Sequence, residues 1–286
     1  MSRPPSTLTV FSHARPEQTG DALRRVIDMA RAAGVEVNVP QAEVDKHGIE
    51  AADGVHLRAD ASADTDLAVV LGGDGTILTT LRLYAGRRVT IFAVNFGTIG
   101  FLATVEPSEL QEGMRKALAG ELDVLELPGL VAATSAGDAL AMNDISFHRR
   151  HSGRVAELAY SVEGEQLGEV RCDGLVVATP AGSTGYNLAN GGPVLAWGVE
   201  GYVVSFIAPH TLTARALVVA PGDVLSVTNR SRDEDVEMTT DGREVCVLAR
   251  EQSISVRFQT GCALLAQAPG ASFYHRLREK FGRLAY

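Results

Sequence analysis

Apolar residues in the first 120 positions follow two alternating patterns. Continuous apolar runs predict buried strands at Leu8 to Phe11, Leu67 to Leu71 and Thr90 to Val94. Apolar residues three and four positions apart predict helices over Asp21 to Ala33, Thr76 to Tyr84 and Pro107 to Ala119, the last closed by Gly120. Strands that alternate with helices are typical of an open parallel sheet with helices on both faces.

The pattern changes after Gly120, where helical periodicity nearly disappears. Short β-rich runs broken by Gly, Asp and Asn follow at Val155 to Val162, Gly174 to Thr179, Val203 to Ala208 and Val224 to Asn229. Many strands at close spacing favour a sandwich of sheets. We therefore expect an α/β N-terminal open-sheet domain over residues 1–120 and an all-β, β-sandwich-like C-terminal domain over residues 121–268.

Helical periodicity returns at the end of the chain. Over Ser272 to Leu284, the apolar residues Phe273, Leu277 and Phe281 fall on one helical face. An amphipathic helix needs a partner for that face. We expect residues 269–286 to form a C-terminal helix that packs back on the first domain.

Composition narrows the classes of protein that fit. The 286 residues carry a formal net charge of −9 with scattered basic residues, which argues against a duplex nucleic-acid binder. The three cysteines form no CxxC pair, so we expect a reducing cytoplasm and no zinc site, and we read His148 and His151 as ordinary polar residues. No apolar run is long enough for a signal peptide or a membrane span, so we expect no membrane partner.

The strongest local motif is a glycine turn at Gly72-Gly73-Asp74-Gly75-Thr76, between a predicted buried strand and a predicted helix. Glycines allow close approach of a phosphate to backbone amides, and the following helix adds its positive end. Asp74 would repel phosphate unless it accepts a proton or holds a cation. The alternative, equally weighted, is that Asp74 caps the helix or stabilises a turn.

Other phosphate-binding motifs are missing from the sequence. No Gly-x-x-x-x-Gly-Lys-[Ser/Thr] occurs, and no Gly-x-Gly-x-x-Gly of a dinucleotide dehydrogenase occurs either. The glycine turn is similar to that of NAD kinases, of diacylglycerol and sphingosine kinases, and of phosphofructokinases. All three groups are phosphotransferases.

Two downstream segments add groups that suit a nucleoside, namely Asn143-Asp144 and the glycine-rich run from Arg171 to Pro193. The carboxylates of Asp144 and Asp173 can accept hydrogen bonds from ribose hydroxyls, Asn143 can pair with a base edge, and Tyr186 can stack on a purine. Taken one at a time, these residues are better explained as turns, a hairpin signal or a helix cap.

Taken together and in this order, the motifs resemble the NAD kinase family along almost the whole chain. The resemblance implies that Asp74 is the catalytic base, that Gly75 touches the dinucleotide, and that Asn143, Asp144 and Asp173 bind it. It also implies ligand contacts at Arg154 and Arg171, and around the adenine at Thr184, Gly185, Tyr186, Asn187, Leu188 and Ala189. Gly72, Gly73 and Thr76 complete the phosphate turn, and Asn95 opens a family-like segment, residues 95–102, near the nucleotide cleft.

The implied reaction moves the terminal phosphoryl group of ATP, or of polyphosphate, to the 2′-hydroxyl of the adenosine ribose of NAD, which gives NADP. The implied accessories are a divalent cation, with Mg²⁺ expected, and a homo-oligomer, either a dimer or a tetramer. Three positions depart from the family pattern: Asp144 stands where Glu is usual, Arg243 where Gln is common, and Thr79 where a basic residue is frequent.

Two other functions stay open on the sequence alone. A diacylglycerol-type lipid kinase shares the glycine turn, although the polar run from Thr179 to Gly192 suits a nucleoside better than an acyl chain. A non-catalytic NAD(H)-binding sensor would keep the fold without turnover, and Asp74 argues against it. A phosphofructokinase is a weaker option, because the second set of basic residues that a sugar phosphate needs is not found.

Overall fold

The protein is described here by a computed structural model, over residues 3–58, 60–61, 64–97, 100–103, 105–151, 154–268, 270 and 272–282. Its contacts group the chain into two compact units. Unit 1 comprises Met1–Glu126 with Cys262–Tyr286, and unit 2 comprises Leu127–Gly261. The first segment of unit 1 therefore ends a few residues after the domain boundary predicted at residue 120. Its second segment begins before the predicted residue 269.

The strands are β1 Thr7–Ser12, β2 Glu36–Pro40, β3 Val55–Arg58, β4 Leu67–Gly72, β5 Thr90–Asn95, β6 Asp123–Thr134, β7 Gly137–Ala141, β8 Asp144–Arg149, β9 Ala156–Val162, β10 Glu165–Cys172, β11 Gly174–Ala178, β12 Tyr202–Ile207, β13 Leu217–Val219, β14 Leu225–Asn229, β15 Val236–Thr240, β16 Arg243–Leu248 and β17 Ser253–Gln267. The α-helices are α1 Pro16–Ala32, α2 Gln41–His47, α3 Asp74–Leu83, α4 Leu110–Ala119, α5 Tyr186–Ala189 and α6 Phe273–Phe281. Short 3₁₀ turns lie at Pro107–Glu109 and Gly182–Thr184.

Unit 1 is built on a parallel sheet in the order β5-β4-β1-β2-β3, and the end of β17 pairs in parallel with β5. This pairing explains why the chain from Cys262 onward belongs to unit 1. All six residues of the central strand β4 are buried, as its unbroken apolar run predicts. The register sets Gly72 opposite Asn95, so the segments that follow β4 and β5 leave the sheet side by side.

Helix α1 illustrates how the apolar stripe is used. Leu23, Val26, Ile27 and Ala30 are buried, as predicted. The helix starts one turn earlier than Asp21, because Pro16 suits a first helical turn and Thr19 extends the buried face. Helix α4 ends at Gly120, whose φ of 71° is the left-handed conformation expected of a closing glycine. The sequence analysis did not predict β2, α2 and β3.

Unit 2 consists of antiparallel sheets, as predicted for a sandwich. One sheet has the order β13-β12-β11-β8-β15-β16, and the other places β10, β9, β14 and the start of β17 side by side. Phe147 and Val177 of the first sheet share one buried cluster with Leu158 and Val227 of the second. Burial of facing apolar side chains from both sheets is what holds such a sandwich together.

The C-terminal helix α6 packs on unit 1, as predicted. Phe273 and Leu277 are buried, and the Phe273 ring lies 5.6 Å from the ring of Phe101. Across the ranges listed above, no helix has the length and apolar character needed to cross a membrane. Cys172, Cys246 and Cys262 are free thiols.

Candidate active site

The glycine turn lies at the carboxyl end of β4, and close packing explains two of its glycines. A Cβ on Gly72 would come within 2.8 Å of the Thr76 side chain, and one on Gly73 would lie 3.3 Å from the Cα of Gly97. Helix α3 begins at Asp74, two residues before the predicted Thr76, because the carbonyl of Gly73 already accepts the amides of Thr76 and Ile77. The first turn of α3 thus sits at the strand edge where open α/β sheets bind ligands.

Asp74 does not cap its own helix, because α3 has no side-chain cap and Gly73 holds the N-cap position. Instead, Oδ2 of Asp74 accepts the amide of Phe101 at 2.7 Å, and Oδ1 accepts the amide of Leu102 at 3.1 Å. Burial raises the pKa of the Asp74 carboxyl above its ordinary value, and the two amides together with Arg276 and Lys280 oppose that rise. The result is an oriented, partly desolvated carboxylate of the kind that general bases require.

Asn95 is buried and its amide serves the segment that follows β5. Its Oδ1 accepts the amide of Gly97 at 3.2 Å, and its Nδ2 donates to Glu106 at 3.3 Å. Thr98 and Ile99 of the same family-like segment lie outside the described residues. A cavity of about 690 Å³ opens beside this segment and is lined by His13, Arg15, Gln18, Asn95, Phe96, Gly97, Glu106 and Pro107.

In unit 2, the backbone around Asn143 and Asp144 is organised by one carboxylate, that of Asp241. It accepts the amides of Met142, Asn143 and Asp144 at 3.0, 2.7 and 3.1 Å. Burial, with the Asp241 carboxylate nearby, raises the pKa of Asp144 to about 7. Asp144 can therefore accept hydrogen bonds when ionised and donate one when protonated, both near neutral pH.

Asp173 pairs with an arginine that the sequence analysis did not name. Nε of Arg149 lies 2.8 Å from Oδ1, and a terminal nitrogen of the same guanidinium lies 3.1 Å from Oδ2. Both side chains are about a quarter to a third exposed, at 25% and 32%. The fork-shaped pair fixes the carboxylate while its remaining lone pairs stay open to a ligand.

The run from Thr179 to Gly192 is an internally bonded loop. Asn187 is fully buried, and its Nδ2 donates to the carbonyls of Ser183 and Pro193 at 3.0 and 2.9 Å, so its amide donors are used within the protein. Thr184 donates its hydroxyl to the carbonyl of Ala181. Of the other predicted residues, Gly185, Tyr186 and Ala189 are exposed and Leu188 is half-buried.

Tyr186 brings the unit 2 residues together. Its ring stacks on that of His148, with centroids 5.7 Å apart and planes 17° from parallel. Partial burial and the carboxylates of Asp144 and Asp173 raise the pKa of its phenol. Asp144, Asp173 and Tyr186 therefore form one polar group with an exposed aromatic face, which suits a nucleoside.

Arg154 and Arg171 engage other partners. Arg154 donates to the carbonyl of Asp233 and lies 3.7 Å from Glu234, and Arg171 lies 3.8 Å from Glu157. Within the described parts of the chain, neither arginine contacts Asp144, Asp173 or Tyr186. Their predicted role as dinucleotide contacts stays a prediction.

Arg149, Asp241 and Arg276 were not predicted as site residues, and the sequence itself carries a local signal only for the last two. Arg149 ends a strand whose antiparallel register with β11 brings it beside Asp173. Asp241 precedes a glycine in a turn, where aspartate commonly accepts backbone amides. Arg276 falls on the buried face of α6, and a charged residue on an apolar face has a partner that accounts for its burial.

The contact between the glycine-rich loop and Asn143 gives a stability test. A Cβ on Gly182 would lie 2.1 Å from the carbonyl oxygen of Asn143, so Gly182→Ala must displace that backbone. We expect a loss of about 2 kcal/mol in the free energy of unfolding, as for other overpacked sites. Gly198→Ala is the matched control, because a Cβ there meets no atom within 4 Å. Urea unfolding measures both, and equal stabilities would show that the Asn143 contact is not rigid.

Comparison with known proteins agrees with both units. Residues 24–122 match the ATP-NAD kinase N-terminal domain, and residues 142–263 match the ATP-NAD kinase C-terminal domain. A NAD kinase of Syntrophotalea carbinolica is 33% identical over 91% of this chain and 92% of its own. A NAD kinase of Gemmatimonas aurantiaca is 36% identical over 81% of this chain and 82% of its own.

Solved structures show the same fold. The crystal structure of yeast NADH kinase complexed with NADH covers 99% of this chain, and 91% of its own chain is matched, with a TM-score of 0.88 at 23% identity. The crystal structure of an NAD kinase from Archaeoglobus fulgidus in complex with ATP aligns with 96% of this chain and over 97% of its own chain. Its TM-score is 0.73 at 25% sequence identity. On the extent of the sequence matches in both halves, the chain belongs to the NAD kinase family.

Proposed function

We propose that this protein is a phosphotransferase that moves the terminal phosphoryl group of ATP to the 2′-hydroxyl of the adenosine ribose of NAD. The observation that carries the proposal is the Asp74 carboxylate, held by two backbone amides in the first turn of α3, in a chain of the NAD kinase family. The products are NADP and ADP.

Phosphoryl transfer requires the protein mainly to position the two substrates and to stabilise the charge on the transferred group. A bond forms between the ribose 2′-oxygen and the terminal phosphorus, and the bond from that phosphorus to the β-phosphate oxygen breaks, so ADP leaves. The proton of the 2′-hydroxyl passes to the Asp74 carboxylate. A base whose pKa is raised toward neutrality takes such a proton more readily than an ordinary aspartate.

We assign the phosphates of the nucleotides to the glycine turn and the strand edge of unit 1. The first turn of α3 follows the end of β4, where the leading amides of a helix can bind phosphate, and the adjoining cavity carries the basic side chains of His13 and Arg15. Use of ATP is supported by the complex of the Archaeoglobus fulgidus relative with that nucleotide. Initial rates with ATP and with polyphosphate decide between the two donors.

We assign the nucleoside part of NAD to the polar group of unit 2. The carboxylates of Asp144 and Asp173 accept hydrogen bonds from ribose hydroxyls, Tyr186 offers its exposed face to the adenine, and the Asn143 amide meets a base edge. Gly185, Leu188 and Ala189 line the accessible side of the same loop. Asn187 acts by holding that loop together.

We also propose a role for a divalent cation, with Mg²⁺ expected. The reason is the chemistry of triphosphates, and not a metal site in the protein. Among the described residues, no group of three or more His, Cys, Asp or Glu side chains could hold a metal ion. When bound, the cation would neutralise phosphate charge, and the steps above depend on Asp74 and the backbone amides.

Self-association into a dimer or tetramer and a cytoplasmic location are further parts of the proposal. Unit 2 exposes the apolar side chains of Leu212 and Val218, 92% and 49% accessible, which suits a contact with another copy. The free thiols of Cys172, Cys246 and Cys262 fit a reducing compartment. Sedimentation of the purified protein gives the subunit number.

Replacement of the proposed base tests the reaction. The unaltered protein should form NADP from NAD and ATP in a coupled assay, and Asp74→Asn should lower turnover by roughly 10²- to 10⁴-fold, the usual worth of a general base. The asparagine can satisfy only one of the two amides of Phe101 and Leu102, so thermal unfolding and NAD affinity are measured alongside. Asp28→Asn, on the exposed face of α1, is the control with the same change of charge.

Two outcomes of that assay contradict the proposal. Unchanged turnover in Asp74→Asn removes the catalytic assignment. Calorimetric binding of NAD by the unaltered protein, without any product, identifies a sensor instead of an enzyme.

Gly75 tests the approach of a ligand to the turn. A Cβ at Gly75 meets no protein atom within 4 Å, so Gly75→Ala should leave stability unchanged or raise it by up to about 1 kcal/mol in the first turn of α3. If a dinucleotide passes close to this backbone, the methyl group should raise a substrate KM on the order of tenfold. Gly222→Ala, equally free of contacts, is the control. Unaltered kinetics in Gly75→Ala would remove Gly75 from the site.

The pKa of Asp144 predicts pH-dependent binding. Since an ionised carboxylate is the stronger acceptor for ribose hydroxyls, NAD affinity should rise severalfold from about pH 6 to pH 8, as Asp144 loses its proton near 7. The pKa of the neighbouring His148 is lowered by burial, so its charge changes at the acidic end of this range or below it. Calorimetry of Asp144→Asn should show a flat profile, and the exposed control Asp235→Asn should keep the slope. A slope that persists in Asp144→Asn assigns the titration to another group.

A further inference from the structure

We infer that the C-terminal helix α6 positions the proposed catalytic carboxylate, through a bond from Arg276 to the peptide group that also holds Asp74. The inference rests on the proposed role of Asp74, and it assigns to Arg276 a role in orientation and charge rather than contact with substrate.

The first step is the short path between Asp74 and the segment after β5. The amides of Phe101 and Leu102 each donate to one oxygen of the Asp74 carboxylate, at 2.7 and 3.1 Å. A Cβ on the preceding Gly100 would lie 3.2 Å from Oδ1 of Asp74, so this segment approaches the carboxylate as closely as a glycine allows. The orientation of Asp74 therefore depends on where residues 100–102 are held.

The second step is the bond from Arg276. A terminal nitrogen of its guanidinium donates to the carbonyl oxygen of Phe101 at 2.5 Å. That carbonyl oxygen and the amide of Leu102 belong to one peptide group. The Arg276 guanidinium therefore donates to the oxygen of this group, and the Asp74 carboxylate accepts its N–H. Hydrogen bonds in such a chain polarise one another, which strengthens the donor that faces Asp74.

The third step is the burial of this arrangement. Arg276 is only 8% exposed, and it lies one helical turn from Phe273, whose ring packs on that of Phe101. The ring of Phe281 also stacks on that of Phe101, with centroids 6.0 Å apart. Helix α6 thus holds Phe101 by its side chain and by its carbonyl group together.

The charges around the pair are mutually balanced. Arg276 faces Asp74, Glu106 and Glu279, and these carboxylates offset part of the effect of burial, which lowers the pKa of Arg276. Lys280, on the same helix, also faces Asp74. The guanidinium of an arginine stays protonated under these conditions. Its fixed positive charge therefore opposes the rise in the Asp74 pKa that desolvation causes.

Two substitutions of Arg276 separate the effect of its charge from that of its hydrogen bond. Arg276→Gln keeps a donor for the Phe101 carbonyl and removes the charge, and Arg276→Lys keeps the charge. Arg278→Met is the control, because Arg278 is exposed and contacts His275 rather than the Phe101 segment.

We expect the acid limb of the kcat profile to move upward by about one pH unit in Arg276→Gln, which lowers kcat about tenfold on that limb. The KM for NAD should change less than about threefold, because Arg276 does not contact the substrate. Arg276→Lys should keep the limb near its original position, and Arg278→Met should behave as the unaltered protein. An unchanged limb in Arg276→Gln overturns the inference, as does a shift of equal size in Arg278→Met.

A measurement without turnover separates this inference from the proposed function. The Asp74 carboxyl carbon is titrated by NMR in the unaltered protein and in Arg276→Gln, and hydrogen exchange of the Phe101 and Leu102 amides is followed. A higher Asp74 pKa in the variant, whether or not the exchange of the two amides is faster, supports the inference even where no NADP is formed. Equal values in both proteins overturn it even where the enzyme is active. Should Arg276→Gln not fold, Arg276→Lys decides, because it keeps the charge: an Asp74 pKa close to that of the unaltered protein supports the inference, and a higher Asp74 pKa despite the lysine charge overturns it.

Discussion

The parallel pairing of β4 with β5 is the constraint on which the unit 1 site depends. It sets Gly72 opposite Asn95, so the turn after one strand and the segment after the other emerge together. The two backbones then approach so closely that Gly73 and Gly97 leave no room for side chains. This contact fixes the start of α3, and with it the place of Asp74 at the ligand-binding edge of the sheet.

The carboxylates of Asp74, Asp144 and Asp173, for which we propose ligand roles, are stabilised in different ways, and the differences suit different tasks. Asp74 is desolvated, which raises its pKa, and it is oriented by two backbone amides that oppose this rise. Asp144 is desolvated beside a second carboxylate, so it titrates near 7. Asp173 is paired with a guanidinium fork, which fixes the direction of its carboxylate.

Several polar residues near the proposed sites organise the backbone of the surrounding loops. Asn95 links Gly97 to Glu106, and Asn187 ties Ser183 to Pro193. Asp241 gathers three consecutive amides at the start of β8. Because a buried polar group costs free energy unless its hydrogen bonds are made, such residues become fixed parts of the loops they organise.

The sequence by itself determined the fold class, the edge at which the glycine turn lies, and the family. Apolar periodicity and glycine placement are local properties, and a buried strand such as β4 or a closing glycine such as Gly120 shows them directly. Only the tertiary structure decided three contacts. They are the ion pair of Asp173 with Arg149, the hydrogen bonds from the backbone around Asn143 to Asp241, and the hydrogen bond from Arg276 to Phe101. These contacts join residues 24, about 100 and 175 positions apart, and the register and packing that create them leave no periodic trace in the chain.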